Sequence, residues 1–198
     1  EKKIIENVNQ NNISLFLGSN LHSVIYPIDQ SNKFNFVGIL RKKLTFKEIN
    51  NYSLFKEKTF ISSIISKISE QIHPMILSNL ENIKCFPIFV SKEIYSIKKK
   101  NVFLIGDAFF AYPPSFAQGA SQSIEIAYEL YQNLENDKNQ FNNQRIIRTK
   151  MINNKSKFNY FAFHLSNPLI IFIRNLMIKY LFKNKRFIKN YLGKIYNY

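Results

Sequence analysis

The sequence predicts an α+β fold: an antiparallel sheet comes first, a buried strand with its following helix comes next, and further helices close the chain. Three observations lead to this prediction. Short apolar segments separated by polar turns are typical of a meander. Four consecutive apolar residues, Val102–Ile105, are typical of a strand covered on both faces. Later apolar residues recur at helical spacing. We therefore expect three regions, residues 1–97, 98–136 and 137–198.

Three strands are predicted in the first region. Ile13–Leu17 is closed by the turn-forming run Gly18-Ser19-Asn20, and His22–Ile28 follows as the second strand. The polar residues Asp29–Asn32 form the next turn, and Phe34–Leu40 is a third strand of alternating character. Because strands joined by short turns pair antiparallel, we expect a meander sheet.

Helices and one further strand are predicted after this sheet. Thr45, with Glu48 three residues later, matches a capping box and starts a helix. Phe60–Ile68 carries isoleucines at helical spacing, and Pro74–Asn82 is a helix with proline in its first turn. The short apolar segment Phe86–Val90 predicts a strand.

Three more helices are predicted beyond the buried strand. Ala117–Leu134 is the first, and one of its sides carries Ile124, Ala127, Tyr128 and Tyr131. The others are Phe141–Leu165 and Leu169–Phe182. Asn167-Pro168 separates them, because proline cannot continue a helix.

The composition indicates a folded chain with a substantial core. Apolar residues make up 45% of the 198 residues, including nineteen Phe and eleven Tyr, which argues against disorder. Cys85 is alone, so no disulfide is expected; we predict a cytoplasmic protein in which Cys85 is a small buried apolar side chain. His22, His73 and His164 lack metal-ligand spacing, and no metal site is expected.

The formal net charge of +15 raises the question of a nucleic-acid partner. Only five of the basic residues are arginine, the residue type that nucleic-acid readers use for bidentate contacts. The excess is lysine, accompanied by many Asn and Ile, and all three have AT-rich codons, so genome composition can supply the charge. We therefore expect no nucleic-acid partner and keep a membrane surface open.

The C-terminal apolar stripe leaves two interpretations open. Apolar residues in Leu169–Leu181 repeat at helical spacing, and basic residues accompany them. A basic amphipathic helix can lie in a membrane interface and give peripheral membrane contact. A stripe of this width is more usual for a helix that packs on its own protein, and we favour packing. No apolar run here approaches the ~20 residues that a membrane span needs.

The segment with the clearest chemistry runs from the buried strand into the next helix. The strand ends in Gly106-Asp107, Pro113-Pro114 follow, and a helix starts near Gly119. Asp107 can accept a hydrogen bond from a ligand hydroxyl, and the helix start offers unpaired N–H groups and the positive end of its dipole. Gly119 has no side chain, so a planar ligand can approach the backbone. An electron-rich carbonyl or developing anion, as in a reduced flavin, suits such a terminus.

This segment resembles the second flavin-binding motif of the group A flavoprotein monooxygenases. The residues in register are Gly106, Asp107, Ala108, Pro114, Gln118 and Gly119. The resemblance implies that Asp107 contacts the ribityl chain of FAD and that Pro114 lies beside the ring. It also implies that backbone around Gly119, Ala120 and Ser121 meets the pyrimidine edge of the isoalloxazine. The implied cofactor-binding set is Gly106, Asp107, Pro114, Gln118, Gly119, Ala120 and Ser121.

The resemblance extends beyond the motif. Leu17–Pro27 and Phe34–Val37 are similar to the substrate-domain sheet of salicylate-hydroxylase-like members. Their C-terminal helices are similar to three further parts of this chain, Arg145–Arg148, Ser156 and Phe163–Ser166. The implied fold is a substrate-domain sheet, the closing strand and helix of an FAD-binding α/β domain, and C-terminal helices.

Two departures and one absence stand against the family's pattern. Phe109-Phe110 replaces the usual Ala-His, and Ile126 stands where an acidic residue usually follows Glu125. The family begins with a G-x-G-x-x-G motif, and this chain contains none. We therefore expect the chain to be the C-terminal part of such a protein, to lack its dinucleotide-binding half and to bind FAD poorly alone.

The implied activity is hydroxylation of a small aromatic, phenolic substrate by an FAD-dependent monooxygenase that uses O₂ and NADH or NADPH. The catalytic candidates are His22, Tyr26 and Pro114. His22 and Tyr26 share one face of a strand, and a neutral His22 could accept the phenolic proton. The alternative is that His22 ends a strand and Tyr26 belongs to the core. His73 and His164 are assigned to structure.

Two other classes of function stay open. One is a catalytically inactive remnant that keeps the fold without the cofactor. The other is a basic module that binds a membrane surface or nucleic acid. The sequence does not predict the aromatic substrate, the choice between NADH and NADPH, or the oligomeric state.

Overall fold

A computed structural model describes the chain in two compact units, each of which is treated by itself. The residues described are 8, 11–28, 33–66, 80–95, 102–134 and 138–196. The first unit comprises Glu1–Pro87 and Phe163–Ile173, and the second comprises Ile88–Ala162 and Arg174–Tyr198.

The first unit contains the predicted meander. Strands β1 (Ser14–Gly18), β2 (Leu21–Pro27) and β3 (Phe34–Leu40) pair antiparallel in the order β1-β2-β3. Asn20 takes a φ of 56° in the first turn, a conformation that asparagine tolerates better than most residues. The sheet prediction is therefore confirmed, while the turn predicted at 29–32 lies outside the described residues.

Two short helices follow the sheet. Helix α1 (Phe46–Asn50) starts with the predicted capping box, because the Thr45 hydroxyl accepts from the Glu48 N–H and the Glu48 carboxylate accepts from the Thr45 N–H. Helix α2 (Lys58–Ile65) covers most of the helix predicted from Phe60.

The core of the first unit joins α2 to the sheet. Its buried apolar residues are Val8, Leu21, Ile25, Ile61 and Ile65. Cys85 packs partly buried against this cluster, and burial raises the pKa of its thiol. The prediction that Cys85 acts as a small apolar side chain agrees with this position.

Two predicted strands are wrong. Neither Phe86–Val90 nor Val102–Ile105 pairs with a strand among the described residues, and their side chains are not covered on both faces. Phe86 is 71% exposed and Val102 is 39% exposed. An apolar run becomes a strand only where a neighbour takes its N–H and C=O groups. Of the helix predicted over 74–82, the described part is a single 3₁₀ turn at Leu80–Asn82.

The C-terminal part of the chain is helical, as predicted. Its four helices are α3 (Gly119–Gln132), α4 (Lys138–Phe163), α5 (Pro168–Leu181) and α6 (Lys185–Tyr196). The Asn167 carboxamide oxygen accepts from the N–H groups of Leu169 and Ile170 and caps α5, with Pro168 in its first turn. Helix α6 was not predicted, although Asn184 caps it in the same way.

The expected packing of α5 is wrong for one side of the helix. Arg174 is buried, while apolar residues on the other side are exposed. The guanidinium of Arg174 donates to the Ala162 carbonyl and to the Asn175 side chain, so its burial is compensated by hydrogen bonds.

The core of the second unit lies between α3, α4 and the segment before α3. Its buried residues are Phe109, Phe110, Ile126 and Phe141. Ile124 is 72% exposed, so the apolar side predicted for α3 faces away from this core, and the opposite side of the helix is buried.

A buried ionic cluster joins α3, α4 and α6, and consists of Glu125, Glu129, Arg145 and Arg148. The Glu125 carboxylate accepts from Arg148 Nε at 2.7 Å and Nη2 at 2.9 Å, and from Arg145 Nη1 at 2.8 Å. Arg148 Nη2 also donates to the Ile195 carbonyl at 2.6 Å. Burial raises the pKa of Glu125, but bonding to Arg148 and Arg145 outweighs it, so the pKa is lowered.

Replacing Glu125 by Gln should destabilise the fold strongly. Both guanidinium groups are almost fully buried, and the substitution removes the carboxylate that contacts both of them. We expect the free energy of unfolding to fall by about 3–5 kcal/mol, because a buried charge is left uncompensated. Urea denaturation at neutral pH measures it. The control is Glu81→Gln, which breaks an exposed pair with Lys58 and should change little. Equal effects of the two substitutions would contradict the role given to the cluster.

Candidate functional site

The predicted cofactor-binding residues all lie in the second unit, beginning with a tight turn. Gly106–Ala108 forms a 3₁₀ turn, and the Gly106 carbonyl accepts from the N–H groups of Phe109 and Phe110, each at 3.0 Å. Gly106 has a φ of 57°, and a β-carbon built there would lie 2.9 Å from Ser123 Oγ on α3. Glycine is therefore favoured at this position by its backbone conformation, and a β-carbon would also force Ser123 Oγ to shift.

The turn presents Asp107 to solvent. The Asp107 side chain is exposed, and none of the described residues forms a hydrogen bond or ion pair with its carboxylate. A carboxylate at this point is free to accept hydrogen bonds from a ligand hydroxyl.

The loop after the turn is held by a neighbouring segment. Ser91 N–H donates to the Ala111 carbonyl, the Ala111 N–H donates to Ser91 Oγ, and Tyr95 N–H donates to the Phe109 carbonyl. Tyr112 donates to Thr149 on α4 at 3.1 Å. These bonds fix the path of the chain between Asp107 and the prolines.

Pro114 lies in a second 3₁₀ turn, Pro114–Phe116, which α4 and α6 support. Asn159 Nδ2 donates to the Ser115 carbonyl at 3.4 Å, and Tyr191 donates to Asn159 Oδ1 at 2.8 Å. The Tyr191 ring also meets Phe116 edge-on, with centroids 6.2 Å apart. Sequence reasoning missed Asn159 and Tyr191, since only their long-range contacts identify them.

The start of α3 follows directly. Ala117 has a φ of 50°, which is uncommon for a residue with a side chain, and it turns the chain into the helix. Gln118 precedes the first turn and is buried, and no side chain caps the helix. Ala120 and Ser121 are exposed, so the first turn of the helix, whose N–H groups have no partner within the helix, lies at the protein surface.

Gly119 stands in open space at this helix start. A β-carbon built there would meet no atom of the described residues within 4 Å, in contrast to Gly106. Packing therefore does not require glycine at position 119. A planar ligand lying against the backbone would require it, because only glycine leaves that space free of a side chain. Below the helix start a cavity of about 10 Å³, the size of one water molecule, is lined in part by Gly106, Gln122 and Arg145.

Both departures from the family's pattern lie in one place. Phe109, Phe110 and Ile126 belong to the same buried cluster, together with Phe141. The departures therefore form one apolar core, which lines the cavity below the helix start together with Gly106 and Gly119, while Asp107 stays exposed.

The catalytic candidates on the sheet belong to the first unit. His22 is 2% exposed, and its Nδ1 lies 3.1 Å from His164 Nε2, which lies 3.2 Å from the Ile39 carbonyl. Because a carbonyl only accepts, we assign the proton to His164 Nε2 and the acceptor role to His22 Nδ1. His22 Nε2 then carries a hydrogen and can donate, whereas the predicted role needs an acceptor. That catalytic role of His22 stays a prediction.

Tyr26, predicted to share the face of His22, is partly buried. Its hydroxyl accepts from Asn35 Nδ2 at 2.7 Å, and the two residues are paired across β2 and β3. His164 is buried and bonded to backbone, in agreement with its assignment to structure. His73 lies outside the described residues.

Comparisons with known proteins identify a similar fold. Neither a protein-family model nor a curated protein matches this chain. Among solved structures, a variant of HpxO from Klebsiella pneumoniae, complexed with FAD, matches with a TM-score of 0.65 and 14% sequence identity. The match covers 88% of this chain and 50% of that chain, so this chain spans half the length of that protein. At 14% identity this similarity shows only that the two proteins share a fold. The matched protein was solved in complex with FAD.

The two glycines of the site should respond differently to an added methyl group. Gly106→Ala places a β-carbon against Ser123 at a positive φ, and we expect a loss of about 1–3 kcal/mol in the free energy of unfolding. Gly119→Ala should be neutral or stabilise by up to about 1 kcal/mol, because the space is open and alanine favours a helix. Urea denaturation of both variants gives the comparison, and equal losses would contradict these positions.

His22 should make stability depend on pH. Burial, and secondly the charge of His164, lowers the pKa of His22 from 6.5 to about 4. Below pH 6.5 His22 becomes protonated in the unfolded chain but stays neutral in the folded chain. Its contribution to stability therefore falls until about pH 4 and then levels off. The loss attributed to His22 is up to about 3 kcal/mol.

Urea denaturation across this pH range tests the expectation. His22→Asn keeps an acceptor near Nδ1 but cannot titrate, so its stability should fall less between about pH 6.5 and pH 4. Parallel curves for the wild type and the variant would refute it.

Proposed function

We propose that this chain is the part of an FAD-dependent monooxygenase that contacts the flavin. The observation that carries the proposal is the ordered run in the second unit: the turn at Gly106–Ala108, the proline turn at Pro114–Phe116, and the uncapped, open helix start at Gly119. A fold shared with a protein solved with FAD supports it.

The residues present fit a flavin. An exposed carboxylate at Asp107 suits the hydroxyl groups of a ribityl chain, because each hydroxyl can donate to it. The first-turn N–H groups of Gly119, Ala120 and Ser121 suit the carbonyl oxygens of the pyrimidine edge. The space above Gly119, which packing within the protein does not use, suits a planar ring.

In this proposal the backbone of α3 stabilises negative charge. The helix N-terminus carries a partial positive charge, which favours an electron-rich ring and favours it more when the ring is reduced. The ionic cluster fixes α3 against α4, so the donors are held in place before the ligand arrives. Pro114, held through Ser115 and Phe116, offers an apolar surface without a donor and helps to exclude water beside the ring.

The cofactor supplies the oxidation: bound FAD, reduced by NADH or NADPH, would use O₂ to hydroxylate a small phenolic ring. Tyr26, half-buried on the sheet of the first unit, and His22, buried beside His164, are the residues proposed to act on that substrate. Substrate, reductant and catalytic residues are proposed from the resemblance of the motifs, and the fold similarity alone does not specify them.

The proposal predicts that FAD affinity depends on Asp107. In the complete gene product, Asp107→Ala should weaken FAD binding by ~1.5–3 kcal/mol, the value of a hydrogen bond to a charged group. Gly119→Val should abolish binding by obstructing the ring while leaving the helical circular dichroism intact. The matched control is Glu93→Ala, which removes an exposed carboxylate from the neighbouring segment and should leave affinity unchanged.

Fluorescence titration with FAD measures all four proteins. Wild-type affinity in either Asp107→Ala or Gly119→Val would rule out this placement of the flavin. A wild-type gene product that binds no FAD would favour the inactive remnant instead.

A further inference from the structure

Helix α5 has an exposed apolar side that its own packing does not use. At 100° per residue, this side carries Leu169, Phe172, Ile173, Leu176, Met177 and Tyr180, all of which are exposed. Phe172 is 60% exposed and Tyr180 is 69% exposed. The opposite side, with Ile171, Arg174 and Ile178, is buried or half-buried. The helix therefore has two apolar sides, of which one is covered.

Basic residues border this side. Lys179 lies along its edge, Lys185 and Arg186 begin α6, and Lys183 lies in the turn between the two helices, all of them exposed. Phe182 in the same turn is exposed as well. Long basic side chains beside exposed aromatic and aliphatic ones are the pattern of an interfacial helix.

The charge of this part of the chain has one sign. All thirteen acidic residues of the sequence precede Lys138, and the 61 residues from Lys138 onwards contain thirteen basic residues. Arg145 and Arg148 are paired with Glu125 inside the protein, whereas the lysines around α5 point to solvent. The exposed side of α5 is therefore complementary in charge to an anionic partner. It is not complementary to the same side of α5 in a second copy of the chain, because that side also lacks acidic residues.

We propose that α5 and the turn after it dock on an anionic lipid surface. The helix lies parallel to the surface, its apolar side chains enter the boundary between headgroups and acyl chains, and Lys179, Lys183 and Arg186 meet the lipid phosphates. A nucleic acid would use the charge but would leave the apolar side exposed, so lipid accounts for both features. This surface does not depend on the flavin site.

The helix is not a membrane span. Its fourteen residues reach about 21 Å, less than the ~30 Å of a hydrocarbon core. None of the helices among the described residues is long and apolar enough to cross a membrane.

Co-sedimentation of the complete gene product with vesicles tests the proposal. Phosphatidylcholine vesicles with phosphatidylglycerol should bind the protein, more tightly at low salt but still at physiological salt, while pure phosphatidylcholine vesicles should not. Leu176→Ser with Tyr180→Ser should lower the partition coefficient at least about tenfold, because two apolar side chains no longer leave water. Lys179→Gln with Lys183→Gln should lower it by about tenfold or more.

Matched variants outside the surface provide the controls. Phe46→Ser removes an aromatic side chain that is more exposed than Tyr180, and Lys43→Gln with Lys47→Gln removes the same charge, all in the first unit. These controls should bind vesicles like the wild type, and thermal melts should show that every variant is folded.

Three results would overturn the proposal. The first is no binding to anionic vesicles at low salt, as expected if another part of the gene product covers α5. The second is equal losses in the control and α5 lysine variants, which would indicate charge alone. The third is salt-sensitive binding to duplex DNA that exceeds vesicle binding and is unaffected in the Leu176→Ser, Tyr180→Ser protein, which would assign the surface to nucleic acid.

Discussion

The second unit depends on the ion pairs that the Glu125 carboxylate forms with Arg145 and Arg148. This carboxylate joins α3 to α4 by three charge-assisted hydrogen bonds, and Arg148 extends the link to the Ile195 carbonyl of α6. Buried charges are tolerated only when they are paired and hydrogen-bonded, so these three helices have little freedom to shift separately. The N-terminus of α3, where we propose that a ligand binds, therefore belongs to a helix whose buried side is fixed by these ion pairs. A rigid helix terminus loses little entropy when it binds, and this favours preorganised recognition of an anion.

Local patterns predicted local structure well in this chain. The meander, the Thr45–Glu48 capping box and the starts of α3 and α5 were all predictable, because turns, caps and prolines act within a few residues. The strands expected at Phe86–Val90 and Val102–Ile105 did not form, since strand formation depends on a neighbour that a local pattern cannot reveal. At the site, the motif predicted the glycines and Asp107. The support from Asn159 and Tyr191 was not predictable, because those contacts span 44 and 32 residues of sequence.

The two departures from the family's pattern make physical sense as a pair. Ile126 packs with Phe109, Phe110 and Phe141, and it also lines a small cavity that Gln122, Ser123 and Arg145 border. Conversely, Phe109 and Phe110 need an apolar neighbour on α3 to be covered. Changes at contacting positions are generally coupled, so Phe109, Phe110 and Ile126 behave as one packing unit. Asp107 is exposed beside this core, whereas Gly119 lines the same cavity as Phe109, Phe110 and Ile126.

The spacing of the ionic cluster along the chain has a consequence for how the protein reaches its native state. Arg145 and Glu125 are 20 residues apart, whereas Arg148 and Ile195 are 47 apart. Loop closure costs more entropy as the enclosed loop lengthens, so the contact between α3 and α4 has a lower entropic cost than the contact between α4 and α6. Tyr191 of α6 reaches the proline turn both through Asn159 and directly at Phe116. The proline turn, more than 70 residues before Tyr191 in the chain, therefore depends on α6 for its support, and loss of α6 would remove the Tyr191 contacts to both Asn159 and Phe116.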